Sequence, residues 1–278
     1  MSSYAMVIDV SRCVGCYNCF LACRDEHVGV DHAPFAVAQP ETGHRWIDVQ
    51  ERERGSCPRI KVTHTPLLCL HCQDAPCLSA ARNEGITRRA DGIVIIDPVR
   101  AAGQRDLVAA CPYGAIYWNE AANTAVKCTF CAHLLDEGWK QPRCVEVCPT
   151  QALIFGDLSD SSSVVAQQVA AGALEELRPE LRTQPRVRYR HLPQRFVAGE
   201  VMLADEPDQP APGIQVTLSG GSEVLRTTTD NYGEFEFTGL TSDKPYQLAI
   251  EHPGYGLFEV QVAARSDENL GVLRLERH

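Results

Sequence analysis

The stretch Cys13-Val14-Gly15-Cys16-Tyr17-Asn18-Cys19-Phe20-Leu21-Ala22-Cys23 decides how this chain of 278 residues is organised. Its spacing is C-x2-C-x2-C-x3-C. In a run of this kind three thiolates hold one [4Fe-4S] cluster and the fourth reaches across to another. The chain must therefore bring a second group of cysteines back from far along the sequence. Gly15 suits a loop that bends tightly around such a group.

Three further cysteine groups follow. Cys69, Cys72 and Cys77 form C-x2-C-x4-C, and Cys111 stands alone in Cys111-Pro112-Tyr113-Gly114. Cys128, Cys131, Cys144 and Cys148 form C-x2-C-x12-C-x3-C, followed by Pro149. Pro112 and Pro149 stop a helix from continuing past the last ligand. Short apolar strands flank the groups at Ile93–Asp97, Ala115–Trp118 and Ala152–Phe155. Strand, cysteine loop, short helix, strand is thus a repeating unit, and it predicts an internally duplicated module. Zinc is the competing explanation. A four-cysteine zinc site pairs two C-x2-C knuckles across a loop, and one tetrahedral ion cannot use four successive thiols of one tight run.

The count of thirteen cysteines is odd and stops at Cys148, which speaks against a disulfide scaffold and for metal ligation in a reducing compartment. A formal net charge of −10 argues against nucleic acid, which calls for clustered Lys and Arg. No apolar run reaches the ~18 residues of a membrane-spanning helix, and the N-terminus reads as a strand, Tyr4–Asp9, rather than a signal peptide. A cytoplasmic protein without membrane contact is the expectation.

Beyond residue 158 the pattern changes. Ser159–Ser163 can cap a helix in which Val165, Val169, Leu174 and Leu177 recur at near-helical spacing. A basic arm follows, Pro185-Arg186-Val187-Arg188-Tyr189-Arg190-His191-Leu192-Pro193, to be read as a solvated linker or as a strap on a partner. From Gly199 about seven short alternating runs separated by turns predict an immunoglobulin-like β-sandwich. Thr229–Leu240 resembles the carboxypeptidase-regulatory-like family, whose members serve mainly as stability or interaction modules. The fold expected is α+β: duplicated ferredoxin-like modules over 1–158, the second inserted at about 60–115, then a helix and arm over 159–197, then an all-β domain over 198–278.

With four cysteine groups in view, residues 1–158 resemble the iron–sulfur subunits of molybdopterin oxidoreductases in the dimethyl sulfoxide reductase superfamily. That resemblance implies a pairing of the first group with the last and the second with the third. Cys13, Cys16, Cys19 and Cys148 would hold one [4Fe-4S] cluster. Cys23, Cys128, Cys131 and Cys144 would hold a second, and Cys69, Cys72, Cys77 and Cys111 a third. The family pattern also expects cysteines where this chain has Ala81, Ala101, Gln104 and Leu107. Those four positions belong to a single cluster in the family's pairing, so one whole site is missing and three are complete. Cys57 is left over as an ordinary thiol.

By the same resemblance, the missing cluster lies farthest from the molybdenum partner, where membrane-linked relatives pass electrons onward. Three clusters and a small sandwich resemble in particular the small subunits of the pyrogallol–phloroglucinol transhydroxylase and resorcinol hydroxylase family. Met6–Val10, Gly43–Trp46, Glu51–Gly55, Cys111–Gly114, Tyr117–Glu120 and Cys131–Asp136 carry that closer likeness. It implies a large catalytic partner holding molybdopterin guanine dinucleotide with Mo or W, and a heterodimer or a multiple of it. This chain would transfer electrons and hold no catalytic residue; it shows no G-x-G-x-x-G after a strand, no P-loop and no G-x-S-x-G.

Two rival functions stand beside it: the iron–sulfur subunit of a reductase for sulfur, nitrogen or arsenic compounds, and a free-standing multi-cluster ferredoxin. His71 and His133, beside ligands, read as structural histidines, as donors to a cluster sulfur or as contacts to a partner. Arg45, Trp46, Arg52 and Arg54 read as contacts to the large subunit or as a surface ion-pair network.

Overall fold

In the computed structural model the described residues are 2–57, 59–207, 209–221, 223–240, 245–263 and 266–278. Two compact units emerge: residues 1–51 with 64–192, and residues 52–63 with 193–278.

The first unit is built on β1 (Tyr4–Asp9). Met6 and Ile8 are fully buried on one face and Ala5 and Val7 on the other, the unbroken apolar run expected of a central strand covered on both sides. The chain then passes through the first cysteine run into α1 (Asn18–His27). It enters and leaves a long hairpin, β2 (Ile47–Ser56) and β3 (Arg59–Leu68), whose tip belongs to the second unit. Next come α2 (Pro76–Ala80), the hairpin of β4 (Ile86–Arg88) and β5 (Val94–Ile96), and the hairpin of β6 (Tyr117–Asn119) and β7 (Thr124–Val126). Two short helices, α3 (Ala132–Asp136) and α4 (Arg143–Glu146), lead to β8 (Leu153–Asp157), which pairs antiparallel with β1.

Ser163 caps α5 (Val164–Ala170) by accepting the Ala166 N–H. The helix ends earlier than its apolar spacing predicts, because Gly172 and Ala173 turn left-handed, and Leu174 and Leu177 lie beyond it.

The basic arm is not a solvated linker. Its centre is β9 (Val187–Arg190), paired in parallel with β1 from Met6–Val187 to Asp9–Arg190. Val187 and Tyr189 are wholly buried, and the Tyr189 hydroxyl donates to the Pro66 carbonyl at 3.0 Å. The arginines occupy the alternate positions, as period-two geometry requires.

The second unit contains β10 (Phe196–Leu203), β11 (Gln215–Gly220), β12 (Glu223–Thr228), β13 (Glu234–Thr238), β14 (Tyr246–Ile250), β15 (Phe258–Val262) and β16 (Glu268–Leu275). They form two sheets, ordered β13-β10-β16 and β12-β11-β14-β15. Val197, Val201, Phe235 and Leu275 from one sheet share a core with Val216, Leu218, Leu248 and Ile250 from the other. Gly199 lies opposite Phe235, and a Cβ there would stand 2.8 Å from the ring, so glycine lets the aromatic lie on the strand. The hairpin tip belongs to this unit through Arg54, whose Nε and Nη2 donate to both Asp267 carboxylate oxygens at 2.8 and 2.7 Å. Arg59 pairs with Glu234 and Lys61 with Glu236 in the same unit.

Candidate iron–sulfur site

All thirteen cysteines are free thiols. Twelve of them lie in the first unit, and the family pairing implies three sets of four among them. In the first, burial raises the Cys19 pKa to about 12, opposed by the Phe20 N–H and reinforced by Cys13, Cys148 and Cys16. Cys16 is exposed, and Cys13 and Cys148 are half-buried. In the second, all four thiols are buried: burial pushes Cys128 and Cys131 up to about 12 and Cys23 and Cys144 well above the ordinary thiol value, and Cys128, Cys131 and Cys23 all act on Cys144. In the third, burial raises Cys72 to about 12 and Cys77 to about 11, with Cys69 and Cys111 acting on both.

The sets form a series. Cys19 and Cys23 sit one turn apart on α1 and belong to the first and second sets. Cys69 of the third set acts on Cys128 of the second. The second set thus has a neighbour in each of the other two.

The backbone around the thiols is turned to match. Tyr17, His71, Phe130 and Cys131 adopt left-handed φ of 45–59°, each inside a cysteine run. Successive amides turned this way make concavities lined with N–H groups. The Phe130 N–H points to the Cys128 sulfur at 3.4 Å. Gly15 is left-handed as well, and an added Cβ would meet the His64 ring at 2.4 Å, so only glycine lets the loop pass.

Four thiols crowded into a poorly solvated pocket resist ionisation, and that penalty is relieved only by a group that binds all four thiolates. The third set rings a cavity shared with His71, Val94, Ile116 and Lys127. The Nε2 of His71 is buried there without a partner. An orphaned donor lining a cavity with four cysteines fits a sulfur-rich cluster, whose sulfurs accept N–H donors.

The positions where the family pattern expects a fourth set are packed differently. Ala101 and Leu107 are fully buried in the apolar core. Gln104 accepts the Arg82 N–H at 2.8 Å and donates to the carbonyls of Arg82 and Arg100 at 3.0 and 2.8 Å. Cys57 is exposed on the tip of the β2–β3 hairpin.

Side chains singled out from the sequence take varied places. Trp46 is buried at 2% exposure against His27, so it is a core residue rather than a surface contact. Arg45 pairs with Asp48 at 2.8 Å, Arg52 is exposed, and Arg54 is the buried partner of Asp267. His133 bonds Glu26 at 2.9 Å and stacks on His32 with centroids 3.7 Å apart. Glu26, His32 and His133 present ligand atoms within 4.8 Å of one another. The two imidazoles lie face to face at 17°, so their in-plane lone pairs run side by side and do not converge on one ion. Positions 26, 32 and 133 carry no motif spacing that could have announced this cluster.

Residues 60–158 match the 4Fe-4S dicluster domain family, and residues 197–276 match the carboxypeptidase regulatory-like domain family. The pyrogallol hydroxytransferase small subunit of Pelobacter acidigallici is 39% identical over 282 residues, covering 99% of this chain and all of that one. The chain belongs to the iron–sulfur subunits of the dimethyl sulfoxide reductase superfamily. Other members are similar over a smaller share. A tetrathionate reductase subunit of Salmonella typhimurium is 36% identical over 70% of this chain and 74% of its own length. The arsenate respiratory reductase iron–sulfur subunit of a Shewanella species is 30% identical over 66% of this chain and 94% of its own. As a member of this superfamily, the chain is an iron–sulfur electron-transfer subunit, and its relatives work beside a larger partner. No helix among the described residues is long and apolar enough to cross a membrane.

Proposed function

We propose that the chain relays electrons through three [4Fe-4S] clusters to or from the catalytic subunit of a molybdopterin enzyme that hydroxylates, or transfers hydroxyl groups between, polyhydroxylated aromatics. Duplicated ferredoxin-like modules would carry the clusters. The observation that carries this reading is the extent of the likeness: similarity to the pyrogallol hydroxytransferase small subunit runs through the β-sandwich, whereas the tetrathionate and arsenate relatives leave about a third of the chain uncovered.

Cys13, Cys16, Cys19 and Cys148 would hold the first cluster, Cys23, Cys128, Cys131 and Cys144 the second, and Cys69, Cys72, Cys77 and Cys111 the third. When bound, each cluster supplies a site that accepts and gives up one electron. The chain does the rest. Its thiols fix three positions in series, its left-handed loops turn N–H groups inward, and the core around the second set excludes water. The exposed Cys16 marks the first set as the most open to a partner, and Val14 and Leu21 beside it are exposed apolar residues.

Isolation of the native complex tests this. It should contain a large subunit with molybdenum or tungsten, whereas a free-standing ferredoxin would run alone. A hydroxylation by water releases two electrons and needs an added acceptor; a transhydroxylation is redox-neutral and turns over without one.

A further inference from the structure

Two buried polar side chains meet at the cavity of the third thiol set, and one residue fixes both. The Val94 N–H donates to Nδ1 of His71 at 3.0 Å. The Val94 carbonyl accepts from Nζ of Lys127, which also donates to the Cys128 carbonyl at 3.0 Å. His71 is wholly buried and Lys127 is 2% exposed.

This arrangement dictates the histidine tautomer. Because Nδ1 accepts, the ring proton sits on Nε2, and among the described residues nothing accepts it. A buried donor left unpaired costs about 1–3 kcal/mol. Lys127 has three donor hydrogens and uses two on carbonyls. Among the described residues it forms no salt bridge, so its positive charge stays unneutralised beside Cys69, Cys72, Cys77 and Cys111, with which it lines the cavity.

We propose that His71 and Lys127, clamped by the backbone of Val94, raise the reduction potential of the cluster held by Cys69, Cys72, Cys77 and Cys111. This rests on the reading that this set holds a cluster. One electron entering the cluster adds negative charge and makes or breaks no bond. A donated N–H and a nearby ammonium stabilise that added charge more than the oxidised state, and hydrogen bonding and local charge are established levers on cluster potential. The third set ends the series, so a raised potential there makes it the place where an electron rests between turnovers.

The test is a potentiometric titration of the whole complex followed by EPR, with iron and sulfide counted first. For Lys127→Met with its iron retained, the midpoint of one cluster falls. The reduced-to-oxidised ratio at fixed poise should drop at least tenfold, ~59 mV for one electron. Lys127→Arg keeps the wild-type midpoint, and His71→Leu moves the same cluster in the same direction. Full iron with an unmoved midpoint in Lys127→Met overturns the proposal. Should that variant assemble without its cluster, the wild-type complex labelled with 15N-histidine decides. A nitrogen coupling at one reduced cluster, lost in His71→Leu, supports the proposal; its absence, as when the N–H faces the Phe130 ring instead, overturns it. A wild-type complex short of iron would instead overturn the three-cluster reading, and the inference with it.

Discussion

Gln104 grips Arg82 at both ends of its amide, accepting the Arg82 N–H at 2.8 Å and donating to the Arg82 carbonyl at 3.0 Å. With Ala101 and Leu107 fully buried beside it, this position works as a packed polar plug. Replacing Gln104 by Cys should therefore add no iron. It should destabilise the chain by about 1–3 kcal/mol, because it strands two carbonyls and an N–H. Iron analysis and urea unfolding check both halves.

The Arg54–Asp267 pair is bidentate, and the two side chains are 8% and 14% exposed. Replacing Arg54 by Ala leaves a carboxylate buried without its partner, and a loss of about 3–5 kcal/mol is expected on urea unfolding of the second unit.

The same pair sets a pH dependence. Burial pushes the Asp267 carboxyl up, but hydrogen bonds from Arg54 and the Phe196 N–H outweigh it, and the net pKa lies below the ordinary value. A depressed folded pKa gives stability that is complete above the unfolded value and lost as pH falls through the folded one. The wild-type sandwich should thus weaken below about pH 4, and Asp267→Asn should flatten that limb of the profile.

Gly15 has φ +67° and no room for a Cβ against His64. Gly15→Ala should cost the first thiol set its cluster and lower iron from about twelve to about eight per chain, leaving the other two sets loaded.

Exposure should also rank the clusters under oxidation. Cys16 is exposed, whereas all four thiols of the second set are buried. Brief oxidant treatment should abolish the EPR signal of the first cluster well before that of the second. Among the twelve clustered cysteines alkylation should then find Cys16 first, with the exposed Cys57 labelled before and after treatment alike.

Much of this was legible in the sequence, for identifiable reasons. Thiol spacing is a local covalent constraint, so the cysteine groups stand out without a structure. The alternating runs from Gly199 onward name their own strands. What hid were residues whose role depends on remote partners. The arginines of 186–190 masked β9, because charge at alternate positions drew attention from the buried Val187 and Tyr189 between them. Lys127 carried no signal in the sequence, and its link to His71 shows only once Val94 is seen between them.

The central claim is a count of clusters. Iron and acid-labile sulfide per chain in the native complex should each come to about twelve. Values near sixteen, values near eight, or zinc in place of iron would contradict the account.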